Sequence, residues 1–243
     1  MTPVLKDSTL VLIEDLRDSL ARELALPFDA PAYAWPQVDE PFFPVVPAER
    51  LEAIVDGSAR HDIARVSDHP ILKPDASPAQ IDALCTSAIK HGFYSVCVNG
   101  GYVAQAARRL EGTGVALAAV VGFPLGQMSS AAKAHETHLV VEEGASEIDM
   151  VQNVGWLKAG LYHEVLNDMR EVVYAAGAGV PVKVIIETCL LDEREKIVSC
   201  LLALWAGAAF VKTSTGFSTG GATVEDIALM RAVVGHKAGV KAS

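Results

Sequence analysis

From Val66 onward, short runs of apolar residues alternate with longer stretches in which apolar positions recur every three or four residues. The short runs have the length and β-branched content of strands, and the longer ones have a helical period. Strands are expected over residues 65–72, 94–99, 116–123, 147–153, 182–188, 209–214 and 239–242. Helices are expected between them, over 78–91, 102–110, 129–143, 163–176, 192–206 and 223–234. Gly92, Gly144 and Gly207 stand where three of these helices should stop, because glycine enters the left-handed backbone of a helix end without steric cost. Regular alternation of strand and helix implies a parallel sheet. No G-x-G-x-x-G follows the first strand, which turns the reading away from an open dinucleotide-binding sheet and toward a TIM-type (β/α)8 barrel. Such a barrel takes eight strands and the pattern supplies seven, so the expected fold is an α/β barrel truncated after its seventh strand, with edges exposed at the first and seventh.

The first sixty residues have a different character. A helix over 8–24, with Ser8 as its cap, precedes a stretch over 27–47 rich in proline and aromatic residues, and a short helix is expected over 48–55. This divides the chain into an N-terminal extension, residues 1–60, and a barrel domain, residues 61–243.

Three strands carry charge inside otherwise apolar runs. V-K-V-I-I-E-T places Lys183, Ile185 and Glu187 on one face if the strand alternates throughout, A-S-E-I-D-M-V carries Asp149, and A-A-F-V-K-T-S-T carries Lys212. If consecutive strands are neighbours, one carboxylate and two amines converge on one interior. A lone strand lysine is more often half of a buried ion pair, here with Glu187 or Asp149, but two lysines beside Asp149 favour chemistry. Desolvation and a neighbouring cation both favour the neutral amine, which can attack a carbonyl and form a Schiff base. Lys183, embedded deeper among valine and isoleucine, reads as the nucleophile, and Lys212, near its strand end, as the cation beside it. Asp149 is placed to move protons.

The glycine-rich loop T-S-T-G-F-S-T-G-G-A-T, residues 213–223, runs into a helix and suits a phosphate contact about as well as an ordinary capped loop. His135 and His138 lack the spacing of a zinc site and read as a solvated helical face. His69 and Asp68 lie near the first strand, with a structural hydrogen bond and catalysis equally open for either. Cys97 is either an accessible thiol or core packing.

Composition narrows the partners. A net charge of −10 and a pI near 5.1, without a basic run, argue against a nucleic-acid surface. The start of the chain lacks the pattern of a secretory signal, and the longest apolar runs are too short to span a bilayer. The four cysteines, Cys85, Cys97, Cys189 and Cys200, show no C-x-x-C spacing, and each has apolar neighbours, which fits a reducing, cytoplasmic setting.

S-D-H-P-I-L-K-P-D-A-S, Y-S-V-C-V-N, V-V-G-F-P-L-G, E-I-D-M-V, V-K-V-I-I-E-T-C-L-L and F-V-K-T-S-T-G-F-S-T-G-G-A-T-V-E-D resemble the 2-deoxyribose-5-phosphate aldolase family, in order and at its spacing. The resemblance covers about Val66 to Ser243. It implies a class I aldolase, without metal or other cofactor, that cleaves 2-deoxy-D-ribose 5-phosphate to acetaldehyde and D-glyceraldehyde 3-phosphate in deoxyribonucleotide catabolism. By motif, Lys183 resembles the Schiff-base lysine, Lys212 the lysine that lowers its pKa, Asp149 the proton-relay aspartate, and Asp68 a further acidic residue of the site. Within the glycine-rich loop, Thr213, Ser214, Gly216, Ser218, Thr219, Gly220 and Gly221 are the residues expected to hold the phosphate. A homodimer is the implied assembly, and the expected partners are small sugar phosphates and aldehydes, with no nucleic acid and no membrane.

The chain also departs from the family. Pro70 stands where the family has threonine, and Gly100 where it has proline. Past K-A-S the family continues with a G-G-hydrophobic-R loop, an eighth strand and a Gly-Ser-rich turn that complete its phosphate site. Phosphorylated substrates should therefore suffer more than small unphosphorylated aldehydes, because remote binding energy is used at the reacting centre. The alternatives are a Schiff-base aldolase for another sugar phosphate, and an impaired relative serving as a binding subunit.

Overall fold

The computed structural model describes residues 5–26 and 63–243. The proline-rich stretch and the helix expected over 48–55 lie outside the described residues.

Seven strands, β1 (Asp68–Ile71), β2 (Ser95–Val98), β3 (Ala116–Val121), β4 (Glu147–Val151), β5 (Val182–Ile185), β6 (Phe210–Lys212) and β7 (Gly239–Lys241), form one sheet in chain order. The registers of β1 with β2, β2 with β3, β5 with β6 and β6 with β7 are parallel. The helices are α1 (Asp7–Glu23), α2 (Pro78–His91), α3 (Val103–Leu110), α4 (Ser130–Glu142), α5 (Val154–Lys158), α6 (Tyr162–Ala176), α7 (Glu193–Ala206) and α8 (Val224–Val234). This is the α/β architecture of the TIM type, as the alternating pattern requires.

Local chemistry sets the boundaries. Ser77 and Gln80 form a reciprocal cap at the start of α2, Asp192 and Glu195 do the same for α7, and Thr223 accepts from the Asp226 backbone at α8. Gly92 and Gly207 close α2 and α7 in left-handed conformation, as expected. Ser8 does not cap α1: Lys6 holds that position without a side-chain bond, and the helix begins at Asp7. The sequence pattern also passes over α5, a single turn and a half capped by Asn153, whose Oδ1 accepts from the Trp156 backbone at 3.1 Å. The observed strands are shorter than expected. β5 ends at Ile185, and Glu187 departs from strand geometry altogether.

The chain divides into two compact units. One holds β1, β2 and Ala116 to Val120 of β3 with α2 and α3, and its apolar core includes Ile81, Leu84, Val96, Val98 and Val103. Within it the Tyr94 hydroxyl donates to Glu147 at 2.8 Å and the Ser95 hydroxyl to Asp68 at 2.8 Å. The other unit holds α1, Asp149 to Val151 of β4, β5 to β7 and α5 to α8. Its core includes Val165, Met169, Val172, Ile197 and Leu201, and α1 packs on α7 through a face that buries Ile13, Leu16 and Leu20.

Candidate active site

Register places the charged strand residues. Ile185 is the Cα partner of Lys212, and Lys183 that of Phe210. Residues two apart share a face, so Lys183, Ile185 and Lys212 project together, with Lys183 one layer nearer the N-terminal edge of the sheet. On the other side, Lys212 is in register with Lys241 of β7.

Asp149, fully buried on β4, joins the two lysines. Its Oδ1 accepts from Lys183 Nζ at 2.9 Å and its Oδ2 from Lys212 Nζ at 2.6 Å. Side-chain exposure is 2% for Lys183 and 10% for Lys212, so the upper lysine is the more accessible. Burial alone would raise the Asp149 carboxyl, but the two ammonium groups outweigh it and hold it below the usual carboxylate range. The convergence expected from sequence is therefore present for Lys183, Lys212 and Asp149. Asp68 belongs to the other unit, on β1, where its carboxylate accepts from Ser95.

Glu187 does not pair with Lys183 as strand alternation would allow. Its backbone is left-handed, φ 57° and ψ 65°, a conformation unusual for a residue with a side chain. The backbone amides on either side still pair with β6 and its exit, Ile186 with the Lys212 carbonyl and Thr188 with the Thr213 carbonyl, both at 2.9 Å. The buried carboxylate turns instead to Thr215, accepting from its hydroxyl at 2.5 Å and its amide at 3.2 Å. Thr215 Oγ1 in turn accepts from the Phe217 amide at 3.1 Å. Neither Glu187 nor Thr215 stood among the expected site residues.

Of the expected phosphate residues, Thr213 and Ser214 are buried and engaged with Ser243, whereas Gly216, Ser218, Thr219 and Gly221 are exposed and Gly220 is half-buried. The helix that follows is already complemented at its N-terminus by Glu225 and Asp226, the latter paired with Lys196 at 2.6 Å. Cys189 departs from its expected apolar setting. It is exposed, with Sγ 3.4 Å from the Ser218 hydroxyl. Burial would raise this thiol, but hydrogen bonding with Ser218, Thr219 and the Gly220 backbone outweighs it and lowers its pKa. Cys97 is core packing, His69 stacks on Phe93 with ring centroids 4.4 Å apart, and His135 and His138 are exposed.

Beyond the ends of β4 to β6 lies a cavity of about 560 Å³ with Val151, Glu187, Thr215, Phe217, Leu125 and Leu190 among its walls. One wall is the G-F-P-L-G loop, and the loop's closing glycine is required there. At Gly126, φ is +67° and a Cβ would stand 2.1 Å from the Gln152 carbonyl oxygen. Phe217 meets Phe123 of the same loop edge-on, centroids 5.3 Å apart.

A second buried lysine pair escaped the sequence reading. Lys133 of α4, wholly inaccessible, donates to Asp168 of α6 at 2.5 Å and to the Val151 carbonyl at 2.9 Å. The signal was present, because Lys133, Thr137 and Val140 follow the i, i+4, i+7 spacing of the buried stripe. Among the described residues there is no group of three or more His, Cys, Asp or Glu arranged to hold a metal ion, and no helix long and apolar enough to cross a membrane.

Comparison with known proteins identifies the family. Residues 64–242 match a family described as DeoC/LacD family aldolase. The chain is 57% identical over 182 residues to the deoxyribose-phosphate aldolase of Alkaliphilus oremlandii, covering 75% of this chain and 82% of that one. It is 56% identical over 183 residues to that of a Geobacillus species, with the same shares. Among solved structures, a putative deoxyribose-phosphate aldolase from Coccidioides immitis superposes with TM-score 0.75 at 35% identity, covering all of this chain and 86% of that one. The tetrameric deoxyribose phosphate aldolase from Aeropyrum pernix gives 0.71 at 31% identity, covering 79% and 82%.

Proposed function

The chain belongs to the DeoC/LacD aldolase family, carbon–carbon lyases, and on that premise we propose that it cleaves 2-deoxy-D-ribose 5-phosphate reversibly through a Schiff base on Lys212. The observation that carries this reading is one carboxylate, Asp149, shared by two strand lysines, on strands whose continuations reach the cavity wall at Val151, Glu187 and Thr215.

The roles within the trio follow from depth. The nucleophile must meet a substrate carbonyl, and Lys212 is nearer the strand ends and the more exposed of the two lysines. Register and exposure therefore favour Lys212 as the amine, and Lys183 as the deeper cation that orients Asp149, the reverse of the order suggested by apolar surroundings alone. Lys183 meets the same carboxylate as Lys212, and a second ammonium group this near favours loss of the Lys212 proton.

The neutral amine adds to the C1 aldehyde of the open-chain sugar, and loss of water gives the imine. Removal of the C3 hydroxyl proton then lets the C2–C3 bond break, its electron pair passing into the enamine and releasing D-glyceraldehyde 3-phosphate. Protonation at C2 and hydrolysis release acetaldehyde and restore the lysine. Asp149, with water, carries the protons at the imine and at C2. The residues from Gly216 to Gly221 present amides and hydroxyls to the phosphate, with Thr213 and Ser214 supporting them from below. A cytoplasmic homo-oligomer working in deoxyribonucleotide catabolism completes the reading, and size-exclusion chromatography tests the assembly.

The chemical test is intact-mass spectrometry after incubation with acetaldehyde and borohydride. The chain should gain one reduced ethyl adduct, Lys212→Ala should lose it, and Lys183→Met should form it more slowly at Lys212. An adduct mapping to Lys183 would exchange the two roles. Absence of any adduct from the unmodified chain would overturn the Schiff-base mechanism, and a panel of sugar phosphates fixes the substrate.

A further inference from the structure

Glu187 combines three properties that no part of the proposed chemistry uses: a left-handed backbone, burial to 4% exposure of the residue, and a place in the cavity wall. A side chain in left-handed backbone costs free energy, and glycine would make the same turn without strain. What glycine could not supply is the carboxylate. It is aimed at Thr215, three residues beyond Lys212, and takes both the amide and the hydroxyl of that residue. Thr215 passes the constraint on through its Oγ1 to the Phe217 amide. Phe217, braced by Phe123, forms the cavity wall on that side. The strain is thus tied to a chain of contacts that fixes the loop leaving β6.

We propose that Glu187 is a positioning residue, which clamps Thr215 so that the loop from Gly216 to Gly221 is already shaped to receive the far, phosphorylated end of the substrate. This rests on the Schiff-base reading above, and it locates the clamp's effect away from the reacting carbon. Ile186 and Thr188 hold the end of β6 through their own backbone bonds, so Lys212 keeps its place when the Glu187 side chain is removed. The consequence is a separation of effects. Losing the clamp should weaken capture of the sugar phosphate while leaving imine formation with acetaldehyde, which has no far end, nearly unchanged.

The test compares Glu187→Ala, Glu187→Gln, Thr215→Val and the double variant Glu187→Ala/Thr215→Val in the full chain. Three readouts are used: KM and kcat for deoxyribose 5-phosphate, the rate of borohydride-trapped acetaldehyde adduct, and amide exchange at Thr215 and Phe217. For Glu187→Ala the expected result is a KM roughly tenfold higher, kcat and trapping within about threefold of the parent, and faster exchange at those two amides. Thr215→Val should show the same KM defect, and the double variant no more than either single one, because all three break one connection. Glu187→Gln, which keeps an acceptor oxygen, should recover part of the loss.

Equal losses in trapping and in sugar-phosphate turnover would overturn the proposal, since they would mean that Glu187 merely holds the strand. So would multiplicative losses in the double variant, or unchanged exchange at Thr215 and Phe217. If the parent chain traps no adduct, the Schiff-base mechanism falls, and exchange at Thr215 and Phe217 still decides whether the clamp exists.

Discussion

Within the unit that carries β5 to β7, two arrangements bury lysine against aspartate, and they differ in count and in place. Lys133 and Asp168 are one cation and one anion on two helices, both wholly inaccessible, with the Val151 carbonyl taking a second lysine proton. Lys183, Lys212 and Asp149 are two cations on one anion, on adjoining strands, and the upper lysine retains 10% exposure. A closed one-to-one pair has nothing left over to react. Two ammonium groups sharing one carboxylate disfavour each other's charge, and the partly accessible one is the amine that the proposed imine chemistry needs. Burial of lysine is common to both arrangements, and the sharing of the anion together with access separates them.

Removing the shared anion gives the sharpest contrast. Asp149→Asn keeps the shape and removes the proposed proton carrier, and turnover should fall by about 10²–10⁴-fold, the range for loss of a general acid–base group. A loss under tenfold, measured as kcat at saturating substrate, would break the distinction drawn here.

The helix pair should fail in the opposite sense. Lys133→Met leaves the Asp168 carboxylate buried without its partner, a change that costs about 3–5 kcal/mol and, in a chain of this size, lowers Tm by roughly 10 °C. Below that temperature, kcat should stay within about threefold of the parent. Lys133→Met/Asp168→Leu should regain most of the lost stability, because a buried pair exchanged for apolar side chains is often neutral. The residual cost should be about 1–3 kcal/mol for the Val151 carbonyl left without its donor. Thermal unfolding of the two variants beside the parent decides this, and a double variant as unstable as the single one would show that the pair itself stabilises the fold.

The two arrangements also differ in how they could be read from sequence. On a strand, a lysine inside an unbroken apolar run is conspicuous, so Lys183, Lys212 and Asp149 stood out before any coordinates. On a helix the inward stripe is only part of the surface, and in S-A-A-K-A-H-E-T-H Lys133 drew no remark beside His135 and His138, which are indeed exposed. Asp168 lies in a helix of mixed charge and gave no signal, and only the spacing of Lys133 with Thr137 and Val140 marks the pair in sequence. The order of strands and helices was legible for the same reason as the strand lysines, since the period of the apolar positions changes at each boundary. Strand ends were not. Glu187 continues the alternation in sequence, and what turns it away is the left-handed backbone and the hold on Thr215, a contact made 28 residues downstream that no local pattern encodes.

The smallest effect separates the two aspartates by sign. Asp149 is held below the usual carboxylate range, so its folded-state value lies under the unfolded value of about 3.9. The stability it contributes is present above that pH and is lost as pH falls through the folded-state value. Asp168 goes the other way. Burial raises its carboxyl, and the opposing pull of Lys133 does not cancel the rise. Between about pH 3.9 and that raised value, the folded state binds more protons than the unfolded state, so acidification through this window favours folding. Subtracting the unfolding free energy of Asp168→Asn from that of the parent, across a pH series, should give a difference that grows as pH falls toward 4. The same subtraction for Asp149→Asn should stay flat to about pH 4 and shrink below it. Parallel curves would mean that the two carboxylates meet equivalent surroundings, and the contrast between a closed pair and a cation-rich trio would lose its electrostatic basis.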